Sequence, residues 1–165
     1  MTQPSLFGDV RGRAATANID GGSRGNPGPA GYGVHIEQAD GTIVELKEFI
    51  GTQTNNFAEY SGLVAALRWA DETHASPLLI RSDSELLVKQ MRGEYRVKNP
   101  GLLPLYEEAR SLMRHIGRVA FEHVPREFNK DADRLANEAM DEGITSAREL
   151  LRPAYLLLPS PRGTT

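Results

Sequence analysis

The spacing of apolar residues changes from a period of two to a helical period near residue 54, and this change constrains the fold more than any other feature of the sequence. Before it, the stretches YGVHIEQ and TIVELKEFIG alternate apolar and polar residues around Asp40-Gly41, a dipeptide typical of a β-hairpin. After it, TNNFAEYSGLVAALRWADETH places Phe57, Leu63 and Leu67 on one helical stripe. We therefore predict antiparallel strands followed by helices that cross over the sheet.

The remaining segments continue the alternation of strands and helices. ATANID reads as a first strand that ends at Asp20, and PLLIRSDS and RVAFEHVP read as later strands. Helical patterns follow in SELLVKQMRGEY, LLPLYEEARSLMRHI and NKDADRLANEAMDEG, the last closed by Gly143 as a C-cap. This order predicts an α/β fold with a five-stranded mixed sheet flanked by helices. We assign residues 1–14 to a flexible leader, 15–143 to one domain and 144–165 to a C-terminal tail.

Composition excludes several classes of protein. The chain has 165 residues and no cysteine, so disulfides and thiolate metal sites are excluded. No stretch approaches the ~20 apolar residues of a membrane span, and the N-terminus lacks the layout of a signal peptide. We therefore expect a cytoplasmic protein without a membrane partner. The net charge of −3 argues against a protein that coats nucleic acid by charge alone.

Four acidic residues stand at predicted junctions between elements. Asp20 and Asp83 each end a strand, and Glu59 and Asp133 each lie in the first turn of a helix. Each has an ordinary explanation on its own: a turn residue for Asp20, an N-cap for Asp83, and the helix dipole for the other two. In an open sheet with crossover helices, however, strand ends and the adjoining helix starts are where ligands bind.

Acidic residues brought together would repel and raise one another's pKa values unless cations lay among them, so a cluster implies metal. With no cysteine and no suitably spaced histidine pair, the ligands would be oxygens, which favours Mg²⁺ or Mn²⁺. Two such ions about 4 Å apart would support an in-line displacement at phosphorus.

Five segments between residues 17 and 140 resemble, in order and spacing, the successive signatures of type 1 ribonuclease H. They are NIDGGSRGNPGPAGYG, TNNFAEYSGLVAAL, IRSDSELLVKQMRG, YRVKNPGLLPLY and VPREFNKDADRLANEA. The resemblance implies the ribonuclease H-like fold and two Mg²⁺ ions, with Mn²⁺ as a possible substitute. It assigns catalytic and metal-binding roles to Asp20, Glu59, Asp83 and Asp133. Asp131 is not selected by the family pattern, and on a helix it would point about 200° away from Asp133.

The resemblance also implies contacts with an RNA/DNA hybrid. Glycines would let the backbone approach the RNA strand and its 2′-hydroxyls, in a bend shaped by Asn26: Gly21, Gly22 and Gly25. Asn55 and Asn56 resemble the family's minor-groove residues, and Thr54 with Asn99 resembles its pocket for a DNA-strand phosphate. Backbone recognition of this kind is independent of base sequence.

Two departures from the family pattern affect the proton step and substrate binding. Many members hold a histidine in the loop before the last helix, but VPREFN lacks it; His123 lies on the preceding strand and does not match. Arg126, Glu127 or water is left to replace it. The long basic handle of some relatives is also missing. The segment that remains has four cations: Lys89, Arg92, Arg96 and Lys98. This segment is either a solvated helix end or the substrate face.

We therefore predict a metal-dependent endonuclease that cleaves the RNA strand of RNA/DNA hybrids and leaves 5′-phosphate and 3′-hydroxyl ends. The alternatives are a relaxed nuclease that also cuts double-stranded RNA and a non-catalytic hybrid-binding module. The presence of all four acids favours an enzyme, which we expect to be a monomer. In the leader, QPSLF at Gln3 to Phe7 resembles the short peptide by which bacterial replication and repair proteins bind the sliding clamp.

Overall fold

The computed structural model describes residues 14–152, which contain five strands and four α-helices in the predicted order. The strands are β1 (Ala15–Ser23), β2 (Gly28–Glu37), β3 (Ile43–Gln53), β4 (Leu78–Ser82) and β5 (Val119–His123). The helices are α1 (Asn55–Thr73), α2 (Glu85–Met91), α3 (Leu103–Ile116) and α4 (Lys130–Leu150), and a short 3₁₀ turn at Arg126–Phe128 precedes α4. The segment Gln3–Phe7 and most of the predicted C-terminal tail lie outside the described residues.

The strands form one mixed sheet in the order β3-β2-β1-β4-β5. The first three strands pair antiparallel, as the hairpin pattern predicts. β4 then joins β1 in parallel and β5 joins β4 in parallel, which requires the crossover helices α1 to α3. The predicted five-stranded mixed sheet is therefore confirmed.

The first strand is longer than its sequence indicates. β1 continues past Asp20 through Gly21 and Gly22 to Ser23, so the prediction that it ends at Asp20 is wrong. Both glycines pair with β2, and the left-handed turn comes only at Gly25, with φ of 90°. The absence of a side chain at Gly21 is required by the packing of α1 on the sheet, whereas a Cβ on Gly22 would make only ordinary contacts, the nearest at 3.7 Å from Met140.

The two faces of the sheet carry different helices. A Cβ on Gly21 would lie 2.3 Å from the carbonyl carbon of Ala58 in α1. Neighbouring residues of a strand point to opposite faces, and a Cβ on Gly31, which pairs with Gly22, would meet Ala139 of α4 at 3.0 Å. α1 thus lies on one face with α3 packed beside it, and α4 lies on the other.

The last helix continues well beyond its predicted end. α4 runs to Leu150, so the prediction that Gly143 caps it is wrong. A Cβ on Gly143 would lie 2.1 Å from the ring of Phe49 on β3. Gly143 is therefore a packing residue inside the helix, and the first residues of the predicted tail are helical.

The main core lies between the sheet and α1. Its fully buried side chains include Ile19, Val34, Tyr60, Leu63 and Leu67. The predicted apolar stripe of α1 thus faces the sheet. Within residues 14–152, no helix is both long and apolar enough to cross a membrane.

Candidate active site

An open cleft of about 650 Å³ lies where β1, β4, α1 and α4 meet, and all four predicted acids line it. The residues lining this cleft include Asp20, Gly21, Gly22, Ser23, Arg24, Asn55, Glu59, Asp83, His123, Arg126, Asp133, Asn137 and Met140. The structure thus brings the four predicted carboxylates together at one cleft, whereas their catalytic and metal-binding roles stay predictions.

Two of the acids come from neighbouring strands of the sheet. Asp20 lies within β1, and Asp83 follows the last residue of β4. β1 and β4 are parallel, and Ile19 pairs with Ser82. The next residue in each case, Asp20 or Asp83, therefore lies at the same level of the sheet. The register therefore places the two aspartates side by side.

The other two acids come from helices on opposite faces of the sheet. Glu59 lies in the second turn of α1, which starts at Asn55, so its predicted place in the first turn is wrong. Asp133 lies in the first turn of α4, as predicted. α1 contacts β1 closely at Gly21, the residue that follows Asp20. This contact brings Glu59 of α1 next to Asp20.

Three of the carboxylates are close enough to share one cation. One oxygen each of Asp20, Glu59 and Asp83 lies within 4.8 Å of the other two. Burial, the charges of Asp83 and Asp133, and a hydrogen bond with Asp133 raise the pKa of Asp20 to about 8. The Asp20 carboxylate is thus strongly disfavoured in the absence of a cation.

The neighbouring acids are affected in the same direction. Burial raises the pKa of Glu59 to about 7, although a hydrogen bond from Ser84 acts against the shift. Burial also raises the pKa of Asp83, while the charge of Arg126 and a hydrogen bond from Asn129 oppose the rise. Oxygen donors this close together suit a hard divalent cation, which would favour the ionised form of each.

Asn129 is a site residue that the sequence analysis missed. It is 1% exposed, its Nδ2 donates to the Ile19 carbonyl at 2.9 Å, and its Oδ1 accepts from Asn18 at 3.1 Å. It therefore fixes the start of α4 to β1 beside Asp20. An asparagine just before a helix suggests an N-cap, but its side chain makes no capping bond.

Ser84 caps α2, so the alternative explanation of Asp83 as an N-cap is wrong. The Ser84 hydroxyl accepts from the backbone N–H of Leu87 at 3.2 Å. The Asp83 side chain is left free to face the cleft.

Asp131 points away from the cleft, as its spacing predicts. Its carboxylate lies 3.8 Å from His35 and 3.7 Å from Arg134. Together with Glu45 and His35 it forms a second group of possible ligands, but the Arg134 guanidinium already contacts Glu45 at 2.5 Å. The positive charge of the Arg134 guanidinium therefore already lies next to the two carboxylates of this group.

The predicted substrate-contacting residues are only partly in the cleft. Gly21, Gly22 and Asn55 line it, whereas Gly25 and Asn26 lie in the exposed turn. The side chain of Asn55 accepts from the N–H of Ser23 at 2.9 Å, and Asn26 accepts from the N–H of Asn55 at 3.1 Å. These bonds attach the turn to the start of α1.

The remaining predicted contacts lie outside the cleft lining. Thr54 is the N-cap of α1, and its side chain accepts from the N–H of Phe57 at 3.1 Å. Asn56 is exposed beside it. Asn99 lies in the loop before α3 and accepts from the N–H of Gly101 at 2.9 Å. Their contacts with nucleic acid stay predictions.

The cations of the reduced basic segment are partly engaged. Lys89 pairs with Glu85 at 2.8 Å, and Arg92 donates to the Phe121 carbonyl at 2.5 Å. His123, which does not match the family's histidine, nevertheless lines the cleft, with its Nε2 3.3 Å from the Asp83 carbonyl oxygen.

Comparisons with known proteins agree with this fold. The model of the family described as reverse transcriptase-like matches residues 18–139. Ribonuclease HI of Halobacterium salinarum is 43% identical over 80% of this chain and 67% of its own length. The solved structure of LC11-RNase H1 in complex with an RNA/DNA hybrid is 40% identical, covers 79% of this chain and 99% of that one, and has a TM-score of 0.73.

A mixed five-stranded sheet with carboxylates gathered across β1, β4, α1 and α4 thus defines a reverse transcriptase-like domain. The chain belongs to the type 1 ribonuclease H family. The bifunctional protein Rv2228c of Mycobacterium tuberculosis is 49% identical over 84% of this chain, but the match spans only 38% of that protein. The similarity therefore concerns one domain of this larger relative.

Proposed function

We propose that this chain is a divalent-metal-dependent endonuclease that hydrolyses the RNA strand of RNA/DNA hybrids. The observation that carries the proposal is the approach of Asp20, Glu59 and Asp83 to within 4.8 Å in a cleft that Asp133 also lines. Such a group is unfavourable without cations, and the LC11 relative was solved with a hybrid bound.

The same four acids would hold two Mg²⁺ ions, with Mn²⁺ as a substitute. When bound, the ions supply activation of the attacking water and neutralisation of charge on the leaving oxygen. Asn129 and Ser84 orient the carboxylates through the hydrogen bonds described above. Burial of these side chains limits the water that competes for the ligand oxygens.

The reaction adds water across one phosphodiester of the RNA. A bond forms between phosphorus and the water oxygen, the bond from phosphorus to the 3′ oxygen breaks, and the 3′ oxygen takes up a proton. The products carry 5′-phosphate and 3′-hydroxyl ends. We assign stabilisation of the leaving oxygen to Arg126, which lines the cleft, whereas Glu127 is not among the lining residues. Because arginine stays protonated, the proton itself comes from water.

For substrate recognition, we propose that Gly21, Gly22 and Gly25 approach the RNA strand, with Asn26 shaping the turn. Asn55 and Asn56 would contact the minor groove, and Thr54 with Asn99 would bind a DNA-strand phosphate. The exposure of Asn56 and the turn position of Gly25 leave both accessible to a duplex.

The test is to incubate the purified protein with labelled RNA/DNA, RNA/RNA and DNA/DNA duplexes in Mg²⁺ or Mn²⁺. Cleavage of the RNA strand of the hybrid alone is the expected result. Cleavage of RNA/RNA as well would indicate the relaxed nuclease, and hybrid binding without any cleavage would indicate a non-catalytic module.

We propose, separately, that Gln3–Phe7 binds a bacterial sliding clamp, because its glutamine is followed by a Leu6-Phe7 pair that would fill an apolar pocket. Tethering of this kind would raise the local concentration of the enzyme at replicated DNA. Titration of a labelled leader peptide into purified clamp tests it. The native peptide should bind more tightly than Leu6→Ala/Phe7→Ala, and equal affinities would refute the proposal.

The monomeric state and cytoplasmic location stay predictions.

A further inference from the structure

Arg24 is a cation on the wall of the acidic cleft to which neither the family resemblance nor the proposed chemistry gives a role. It follows β1 directly and, like Arg126, lines the cleft. Its Nη2 donates to the side chain of Asn137 at 3.0 Å and lies 3.0 Å from the carboxylate of Asp141. Both partners belong to α4, so Arg24 joins the turn between β1 and β2 to this helix.

The guanidinium still has unused donors. Both contacts use Nη2, so the N–H groups on Nε and Nη1 have no partner within residues 14–152. The Arg24 side chain is 42% exposed and that of Asp141 is 65% exposed. An ion pair this exposed contributes little free energy, so Arg24 can exchange Asp141 for a better acceptor at low cost.

A polyanion entering the cleft supplies such an acceptor. Phosphate oxygens form charge-assisted hydrogen bonds with guanidinium groups, and arginine is well suited to them. Arg24 adjoins Ser23 and the two glycines, Gly21 and Gly22, that form the same wall. If the proposed function places the RNA strand against these glycines, an RNA phosphate passes within reach of Arg24.

We propose that Arg24 binds an RNA-strand phosphate adjacent to the scissile one, and that Asp141 competes with this phosphate for the guanidinium. This inference rests on the proposed function. The alternative is that Arg24 only ties the turn to α4. The two explanations predict different effects of removing the Asp141 charge on hybrid binding. If the Arg24–Asp141 contact only holds the turn, loss of either residue should weaken binding, whereas if Asp141 competes with the phosphate, its loss should strengthen binding.

The experiment measures hybrid affinity in the presence of Mg²⁺ in an Asp20→Asn background, which we expect to bind hybrid without cutting it. Arg24→Ala, Arg24→Lys and Asp141→Asn are added singly, and the melting temperature of each variant is recorded. We expect Arg24→Ala to weaken binding about tenfold and to reduce the slope of log affinity against log salt by about one. Arg24→Lys should recover part of the loss, and Asp141→Asn should tighten binding.

A set of hybrids with one neutral methylphosphonate at a time identifies the phosphate. Neutralising the contacted RNA phosphate should weaken hybrid binding by the parent protein and leave binding by Arg24→Ala unchanged. The same change in the DNA strand should weaken binding by both proteins equally. The inference is overturned if Arg24→Ala and Asp141→Asn weaken binding alike, if Arg24→Ala has no effect, or if the coupling maps to the DNA strand. Failure of the parent protein to bind hybrid would instead refute the proposed function.

Discussion

Asp20 occupies a restricted position in the cleft. It lies within β1 opposite Gly33, and the residue after it must lack a side chain because α1 contacts the strand there. Its carboxylate is also crowded by other acids, which raises its pKa to about 8. The fold thus holds a charge where it is unfavourable unless a cation is bound.

Replacing Asp20 by asparagine keeps the shape and removes the charge. We expect Asp20→Asn to lower cleavage by orders of magnitude, while hybrid binding persists and the melting temperature holds or rises because repulsion is relieved. Asp131→Asn is the matched control, since this acid lies near Asp133 but faces His35 instead. Near-normal cleavage by purified Asp20→Asn would exclude the assigned role.

The raised pKa values also predict how stability depends on pH without metal. The pKa of Asp20 rises from 3.8 to about 8 on folding, and that of Glu59 from 4.5 to about 7. Between these values the folded state holds protons that the unfolded state has released, so the free energy of unfolding falls as pH increases. Thermal denaturation in EDTA at pH 5 and pH 8 should show the loss, and Asp20→Asn should reduce it. An unchanged slope in that variant would contradict the assignment.

At the scale of elements, α4 does more than its sequence indicates. Its first turn carries Asp133, its middle packs on β2, and its later turns approach β3 through Gly143. The position of Asp133 therefore depends on packing well beyond the cleft.

Gly143→Ala tests this packing. A Cβ would lie 2.1 Å from the Phe49 ring, so the variant should lose about 1–3 kcal/mol of stability despite the better helix propensity of alanine. In a Phe49→Ala background the same substitution should cost nothing or stabilise. Chemical denaturation of the four proteins measures the cycle, and equal costs in both backgrounds would show that the ring is not the cause.

The sequence predicts the order of elements because strand and helix periodicities are set by each segment's own burial pattern. It also places Asp20 and Asp83 together, since parallel neighbours share one edge. The sequence does not predict the roles of Gly143 and Gly21. A glycine that lets another element pack closely against it and a glycine that ends a helix or strand look alike in sequence. Asn129 was missed for a related reason: its partners are residues 110 and 111 positions away.

At the scale of the whole molecule, we expect recognition to depend on the cleft walls more than on the small basic segment, because Lys89 and Arg92 of that segment are already engaged. If Gly21 and Gly22 approach 2′-hydroxyls, a hybrid with 2′-deoxy sugars around one RNA phosphodiester should resist cutting there while neighbouring sites are cut normally. Mapping the fragments of an end-labelled strand measures this, and uniform cleavage across the modified site would contradict it.

The four carboxylates reach the cleft from β1, from the end of β4, and from helices on opposite faces of the sheet. A divalent ion bound there would act as a thermodynamic cross-link between layers that otherwise meet through side-chain packing and through polar contacts such as those of Asn129 and Arg24. The melting temperature should therefore rise as Mg²⁺ is added. The free energy of unfolding should increase by about 2.7 kcal/mol at a Mg²⁺ concentration of a hundred times the dissociation constant. Calorimetry in rising Mg²⁺ would detect this, and Asp20→Asn should remove most of it. The centre to which we assign RNA cleavage would then also hold the two sides of the domain together.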